Sequence, residues 1–311
     1  MSAAADRLPD APPDNWVDRH APAALRPWLK LGRFDRPIGA WLLMLPGWQG
    51  VALACAAEGR LPNPWLMALI AVGALVMRAA GCAYNDIVDR DIDAKVARTA
   101  RRPIPSGQVS VAQAWAYVAV LSVVGLLILL TMNLMAVVLG AASLLLVAAY
   151  PFMKRITWWP QAWLGLTFNW GALLGYAAVA GRVEWPAVLL YASGFFWTLG
   201  YDTIYALQDM EDDALVGVKS SARRLGPAAP RAILLFYFAT VLLAVAAGAA
   251  TGLGPLFYLG CAAYAAHLLW QSRRIRVEDG ALALRLFRSN REAGLVLFLA
   301  IAAGLWWNGP A

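Results

Sequence analysis

Nine residues, Asn85-Asp86-Ile87-Val88-Asp89-Arg90-Asp91-Ile92-Asp93, hold four aspartates at the end of a long apolar run. Carboxylates in or beside a hydrocarbon-spanning segment are expensive and mark functional sites by default. Asp86, Asp89 and Asp93 stand at i, i+3 and i+7, one face of a helix, a spacing suited to holding a cation. A second cluster runs from Asp202 to Asp213, with Asp202, Tyr205, Asp209 and Asp213 again on one helical face. Asp89 and Asp93 recur as Asp209 and Asp213, 120 residues later. Thr99-Ala-Arg-Arg recurs as Ser221-Ala-Arg-Arg, so each acidic helix end precedes a basic loop. Repeats in membrane proteins typically face each other across a central site. Carboxylates and amides without Cys or His ligands suit a hard divalent cation, and magnesium favours a few carboxylates plus substrate phosphates. Two such clusters flanked by Lys and Arg describe a site for a magnesium-bound diphosphate. The Trp-, Phe-, Leu- and Met-rich surroundings call for a long apolar tail on it.

The elements that must position these residues are membrane helices. The 311 residues are 61% hydrophobic and 14% charged, against about 25% charged in soluble domains. About 20 apolar residues span a bilayer core. Nine segments qualify, near 38–57, 64–84, 111–131, 133–151, 161–181, 185–207, 230–250, 255–272 and 292–308. The expected fold is all-α: a polytopic membrane protein of about nine transmembrane helices around a central cavity, with both acidic motifs on the cytoplasmic side. The continuous apolar runs exclude a transmembrane β-barrel. Residues 1–32 read as a mobile cytoplasmic tail with an interfacial segment from Trp28 to Arg33, and residues 33–311 as the membrane domain. The net charge of +7 points to no nucleic acid, because the basic residues sort by loop. Twenty-three lie in the N-terminal tail and alternate loops, and only Arg60 and Arg182 lie in the loops between. This asymmetry puts the N-terminus in the cytoplasm, in a bacterial-type inner membrane.

Other residues carry less. Cys55, Cys82 and Cys261 lie in apolar segments and read as inert buried thiols. Two histidines, His20 and His267, make histidine acid–base chemistry a poor candidate. Arg78, seven residues before Asn85, shares its helical face, and a cation at that depth pairs with an anion. Asp35 and Arg36 serve equally well as marks of the membrane interface. Lys154 alone would read as a snorkelling residue. Asn169, among Trp and Gly, indicates close helix packing. A transporter would spread its acidic groups along a path, whereas here the outer halves of the spans are nearly free of charge.

The sequence resembles the UbiA superfamily of intramembrane aromatic prenyltransferases, from about Arg33 onward. Three motifs carry the resemblance: Asn85-Asp86-x-x-Asp89-x-x-x-Asp93, Asp202-x-x-Tyr205-Ala-x-Gln208-Asp209-x-x-x-Asp213, and Tyr150-x-x-x-Lys154. Arg33-x-Asp35-x-Pro37-Ile38-Gly39 looks most like the branch that acts on 4-hydroxybenzoate in ubiquinone synthesis. The resemblance implies transfer of a polyprenyl group from polyprenyl diphosphate to the ring carbon ortho to the acceptor's hydroxyl. Within the superfamily a naphthoate, homogentisate, haem or glycerol-phosphate acceptor is the alternative. It also implies residue roles. Asn85, Asp89 and Asp93 would hold one Mg2+, and Asp209 and Asp213 a second, with Asp86 and Asp212 as weaker candidates. Lys154, Lys219 and Arg223 would neutralise diphosphate, and Tyr150 would hydrogen-bond it or shield the allylic cation. Arg78 and Asp202 would orient the aromatic acid, with Tyr205 as a further substrate-binding residue.

Overall fold

The computed structural model describes residues 11–12, 14–96, 99–215 and 217–307; the side chains of Asp212, Trp306 and Trp307 lie outside the described set, as do the expected tail residues 1–10 and Arg98 of the first basic loop. The described chain is helical throughout. In order come α1 (Trp16–His20), α2 (Arg26–Leu31), α3 (Ile38–Ala57), α4 (Pro64–Asp93), α5 (Val111–Leu129), α6 (Leu134–Ile156) and α7 (Pro160–Ala180). Then follow α8 (Trp185–Ala206), α9 (Met210–Leu215), α10 (Ser221–Leu225), α11 (Ala229–Ala250), α12 (Pro255–Arg274), α13 (Gly280–Arg288) and α14 (Asn290–Ala303). Short 3-10 turns follow α8, α10 and α14.

Among the described residues, five stretches are long and apolar enough to cross a membrane: Ile38–Ala57, Pro64–Asp93, Val111–Leu129, Leu134–Ile156 and Ser221–Ala250. This is a multi-pass membrane protein. The remaining apolar segments of the sequence coincide with α7, α8, α12 and α14. These dilute their hydropathy with Gln161, Asn169, Thr198, Gln271, Ser272 and Asn290, which the fold buries.

The chain divides into two compact units. The first holds the chain up to Trp41 together with Val72–Leu129. Residues 14–32, expected as a tail, here form α1 and α2. Asn15 caps α1 by accepting from the Asp18 N–H at 2.9 Å, and buried Lys30 pairs with Asp18 at 2.8 Å. Leu31 enters a core with Ala83, Ile87, Ile104, Val109 and Ala114, and Trp28 packs against Tyr117 beside it. The loop after α4 is thereby folded back onto α4.

The second unit holds Leu42–Ala71 and Leu130–Ala311. Small residues set a close contact between two of its helices. A Cβ at Gly50 would sit 2.2 Å from the Ala172 carbonyl oxygen, and one at Gly175 would sit 2.2 Å from that of Gly47. The backbones of α3 and α7 meet there because Gly47, Gly50 and Gly175 carry no side chain. A buried polar network ties the other helices. The Trp197 indole donates to Asn290 Oδ1 at 2.8 Å, and the Tyr237 hydroxyl donates to Gln271 Oε1 at 2.7 Å. Gln271 Oε1 also accepts from Asn290 Nδ2 at 3.3 Å. Asn169 donates to Thr198 at 2.7 Å, as its packing environment led one to expect. Removing one partner strands buried donors without removing their desolvation. Asn290→Ala is therefore expected to destabilise the protein by about 1–3 kcal/mol, read as a lowered thermal midpoint in detergent; an unchanged midpoint would contradict the network's role.

Candidate active site

In the first unit the acidic residues occupy the last turns of α4. Asp86 and Asp89 are fully buried and Asp93 nearly so. The Asn85 amide donates to Asp89 Oδ2 at 2.9 Å, which turns both oxygen-bearing side chains to one place. Buried carboxylates of this kind persist only with cations near them. Two arginines from outside α4 supply charge. Arg33 Nη2 reaches both oxygens of Asp86, at 2.6 and 2.8 Å, while its Nη1 donates to the Lys30 carbonyl at 3.0 Å. Arg33 takes φ 60°, a left-handed conformation costly for a residue with a Cβ, at the turn out of α2. Arg102 Nη1 bridges Asp86 at 3.2 Å and Asp93 at 2.8 Å. Thr99 braces the loop between by donating to the Asp93 carbonyl at 2.8 Å.

Asp86, the weaker ligand candidate above, thus joins Asp93 through Arg102 and anchors α2 through Arg33. Asp35 is buried and accepts from Arg36 at 3.0 Å, so it is not a solvated interfacial anchor. Arg78 lies on α4 against the first turn of α3. A Cβ at Gly39 would meet its Nε at 2.6 Å, so only glycine leaves the guanidinium this seat. Arg33, Arg102 and Gly39 were missed as site residues. Their signal was present in the Arg33–Gly39 motif and the basic loop, but arginines at membrane boundaries also serve as topology signals.

In the second unit the expectation of one continuous helical face across Asp202–Asp213 meets a break. The α-helix ends at Ala206, Leu207–Asp209 form a 3-10 turn, and α9 begins at Met210. Gln208 Nε2 donates to the Tyr205 carbonyl at 2.9 Å, taking an acceptor that an α-helix would give to the backbone. Asp209 is buried, while Asp202, Tyr205 and Asp213 are half-buried; the side chain of Asp212 lies outside the described residues.

The expected cations gather at this end. The Lys219 N–H donates to the Lys154 carbonyl at 3.0 Å, and its ammonium donates to the Ile156 carbonyl at 3.2 Å. Arg223 donates to the Asp213 carbonyl at 3.3 Å and to that of Val218, and stacks over Trp158 at 5.4 Å. The fold thus joins the end of α6, bearing Lys154, to the loop after the acidic cluster. Gln161 accepts from the Ser221 N–H at 2.9 Å, and the Ser221 and Thr203 hydroxyls lie 2.7 Å apart. These polar contacts seat α10 beside α8. Tyr150 is half-buried on α6, one turn before Lys154.

The donor set in each unit is oxygen only, which fits magnesium. Among the described residues no three acidic, His or Cys side chains close into a cage. Magnesium does not require one, since it takes one or two carboxylates and leaves other positions to water and phosphate oxygens.

The description "UbiA prenyltransferase family" matches residues 43–307. Curated relatives named mitochondrial 4-hydroxybenzoate polyprenyltransferase include one from Aedes aegypti, 47% identical over 287 residues. That alignment covers 91% of this chain and 64% of the relative. Another from Rattus norvegicus is 46% identical, covering 93% of this chain and 77% of the relative. The apo structure of a UbiA homolog from Aeropyrum pernix superposes with TM-score 0.68 at 31% identity, covering 86% of this chain and 96% of that one. A UbiA homolog from Archaeoglobus fulgidus bound to GPP and Mg2+ shares the fold, with TM-score 0.66 at 18% identity over 90% of this chain and 99% of that one. The chain belongs to the UbiA prenyltransferase family.

Proposed function

We propose that the protein transfers a polyprenyl group from polyprenyl diphosphate to the ring carbon ortho to the hydroxyl of 4-hydroxybenzoate, releasing diphosphate, as a step of ubiquinone biosynthesis. The observation that carries this reading is α4 itself, which bears Arg78 two turns before half-buried Asn85 and, further along, the buried Asp89 and Asp93. One helix therefore offers a cation for an aromatic carboxylate and oxygen ligands for a metal diphosphate. The names of relatives 43–47% identical over more than nine-tenths of the chain support the same acceptor.

In the reaction the allylic C–O bond breaks and its electron pair leaves on the diphosphate. The electron-rich ring carbon forms the new C–C bond, and loss of its proton restores aromaticity, so no strong base is required. Asn85, Asp89 and Asp93 would hold one Mg2+, and Asp209 and Asp213 a second. Magnesium, when bound, neutralises charge growing on the departing oxygen. Lys154, Lys219 and Arg223 offset the remaining diphosphate charge. Arg78 pairs the acceptor's carboxylate, with Asp202 and Tyr205 aiding its orientation, and Tyr150 hydrogen-bonds the diphosphate or shields the allylic cation. Asp86 serves as the holder of Arg33 and Arg102 rather than as a metal ligand.

The basic loops are proposed to face the cytoplasm across a bacterial-type inner membrane. The positive-inside asymmetry supports this orientation; the curated relatives' names place those proteins in mitochondria. The three native cysteines are buried, so introduced ones report cleanly. Ser106→Cys is expected to react with an impermeant maleimide from the cytoplasmic side only and Arg60→Cys from the other side only; the reverse pattern contradicts the orientation.

Asp89→Ala and Asp209→Ala are each expected to lower prenyl transfer by on the order of 10²–10³-fold in folded protein, and full activity in either removes its metal role. Arg78→Ala is expected to raise the KM for 4-hydroxybenzoate while leaving that for polyprenyl diphosphate unchanged; equal effects on both would remove Arg78 from the acceptor. Arg33→Ala leaves a buried carboxylate short of a partner, and should destabilise by about 3–5 kcal/mol, measured as a fall in thermal midpoint larger than that of Arg19→Ala, which breaks only the exposed pair with Asp14.

A further inference from the structure

The linker helix α13, between α12 and α14, contributes none of the motif residues, yet it lies on the second acidic cluster. It packs against both α8 and the 3-10 turn Leu207–Asp209. At its start a Cβ on Gly280 would stand 3.1 Å from the Gln208 Cβ and 3.3 Å from its Cα. The α13 backbone therefore rests directly on the residue before Asp209. Two turns later Phe287, buried, sets its ring 4.6 Å from that of Tyr205 and 5.8 Å from that of Tyr201. The two contacts bracket the junction where α-helix becomes 3-10.

That junction governs where the carboxylates stand. A 3-10 turn rises about 2.0 Å per residue against 1.5 Å in an α-helix, with a different rotation. Whether Leu207–Asp209 is 3-10 or α thus shifts Asp209 and Asp213 relative to Asp202 and Tyr205. The Gln208 amide holds the Tyr205 carbonyl, and Gly280 holds Gln208 in place. The helix that presses on this turn is itself fixed at both ends. Asp279 caps it by accepting from the Leu282 N–H at 2.8 Å. At the other end Asn290 donates to the carbonyls of Leu286 and Phe287, each at 3.2 Å, and accepts from Trp197.

We infer that α13 is a positioning element for the second metal site, with Gly280 and Phe287 setting the metal affinity of Asp209 and Asp213 through Gln208 and Tyr205. This rests on the magnesium reading above. Neither residue carries a group that ligates metal or touches substrate; each acts through its neighbour.

The test uses the full chain in lipid–detergent micelles, with Mn2+ as the probe, its binding followed by EPR, and prenyl transfer titrated with Mg2+ in parallel. Gly280→Val and Phe287→Leu are expected to weaken Mn2+ binding and to raise the half-maximal Mg2+ concentration by on the order of tenfold. Phe287→Tyr, which keeps the ring, retains wild-type Mn2+ affinity. So does Ala281→Val, exposed on the same helix. Unchanged Mn2+ affinity in folded Gly280→Val and Phe287→Leu overturns the proposal, as does a loss confined to thermal midpoint or kcat. If Gly280→Val does not fold, Gly280→Ala replaces it, with a smaller shift expected in the same direction and no shift overturning the proposal. Wild-type protein that binds no Mn2+ overturns it as well. Wild-type protein that binds Mn2+ but transfers no prenyl group overturns the functional reading instead, and the variants' Mn2+ affinities still decide the role of α13.

Discussion

Two aspartates at zero exposure, in a chain that is 61% hydrophobic, are the constraint on which the first unit depends. Ionised carboxylates cannot be held there without cations and hydrogen bonds around them. For Asp86 the chain meets this by bringing Arg33 from one side in sequence and Arg102 from the other, while Asp89 accepts from the Asn85 amide. Each arginine requires local structure to arrive. Arg33 needs the left-handed turn that ends α2, and Leu31 beside it is locked into the unit's core. Arg102 needs the post-α4 loop folded back, which Ile104 and Val109 achieve by burying themselves in that same core. Packing and charge compensation are therefore one arrangement, since the apolar residues that close the core sit within three residues of the arginines or in the same loop.

The second acidic cluster repeats the first in sequence and not in construction. The first sits on a single uninterrupted helix of 30 residues. The second sits on a helix that changes to 3-10 at its working residues. Its nearby arginine, Arg223, donates to the Asp213 and Val218 carbonyls, holding the loop that follows. A straight helix with external arginines and a broken helix with a braced loop are two solutions to presenting carboxylates at a membrane helix end. The broken one depends on a neighbour to hold its geometry, and α13 fills that place.

Much of this was legible in the sequence, for definable reasons. Helices were legible because bilayer-length apolar runs have few alternatives. The acidic residues stood out because carboxylates are rare against hydrocarbon, and the 120-residue echo tied Asp89 to Asp209. Lys154 stood in a family motif and Lys219 and Arg223 in the basic loop after the second cluster, and the fold does bring them to one end of the second unit. Illegible were contacts whose meaning is purely spatial. Gly39 closed a motif, but nothing in the sequence showed that Arg78 lies across it. Gln208 reads as a helix residue until its amide captures the Tyr205 carbonyl. The ordering of residues 14–32 was hidden because Ala, Pro and Asp give no periodic signal, whereas the Lys30–Asp18 pair and the Leu31 contact stabilise α1 and α2 from outside the local sequence.

The account stands on a lipid-tailed diphosphate meeting an aromatic acid at oxygen-ligated magnesium. Its most direct test supplies membranes containing the protein with labelled polyprenyl diphosphate, 4-hydroxybenzoate and Mg2+, in competition with a naphthoate acceptor, and identifies the products by mass. The account predicts 3-polyprenyl-4-hydroxybenzoate with stoichiometric diphosphate, abolished by chelation and restored by Mg2+. Prenylation of the naphthoate alone, or product formation indifferent to chelator, would contradict it.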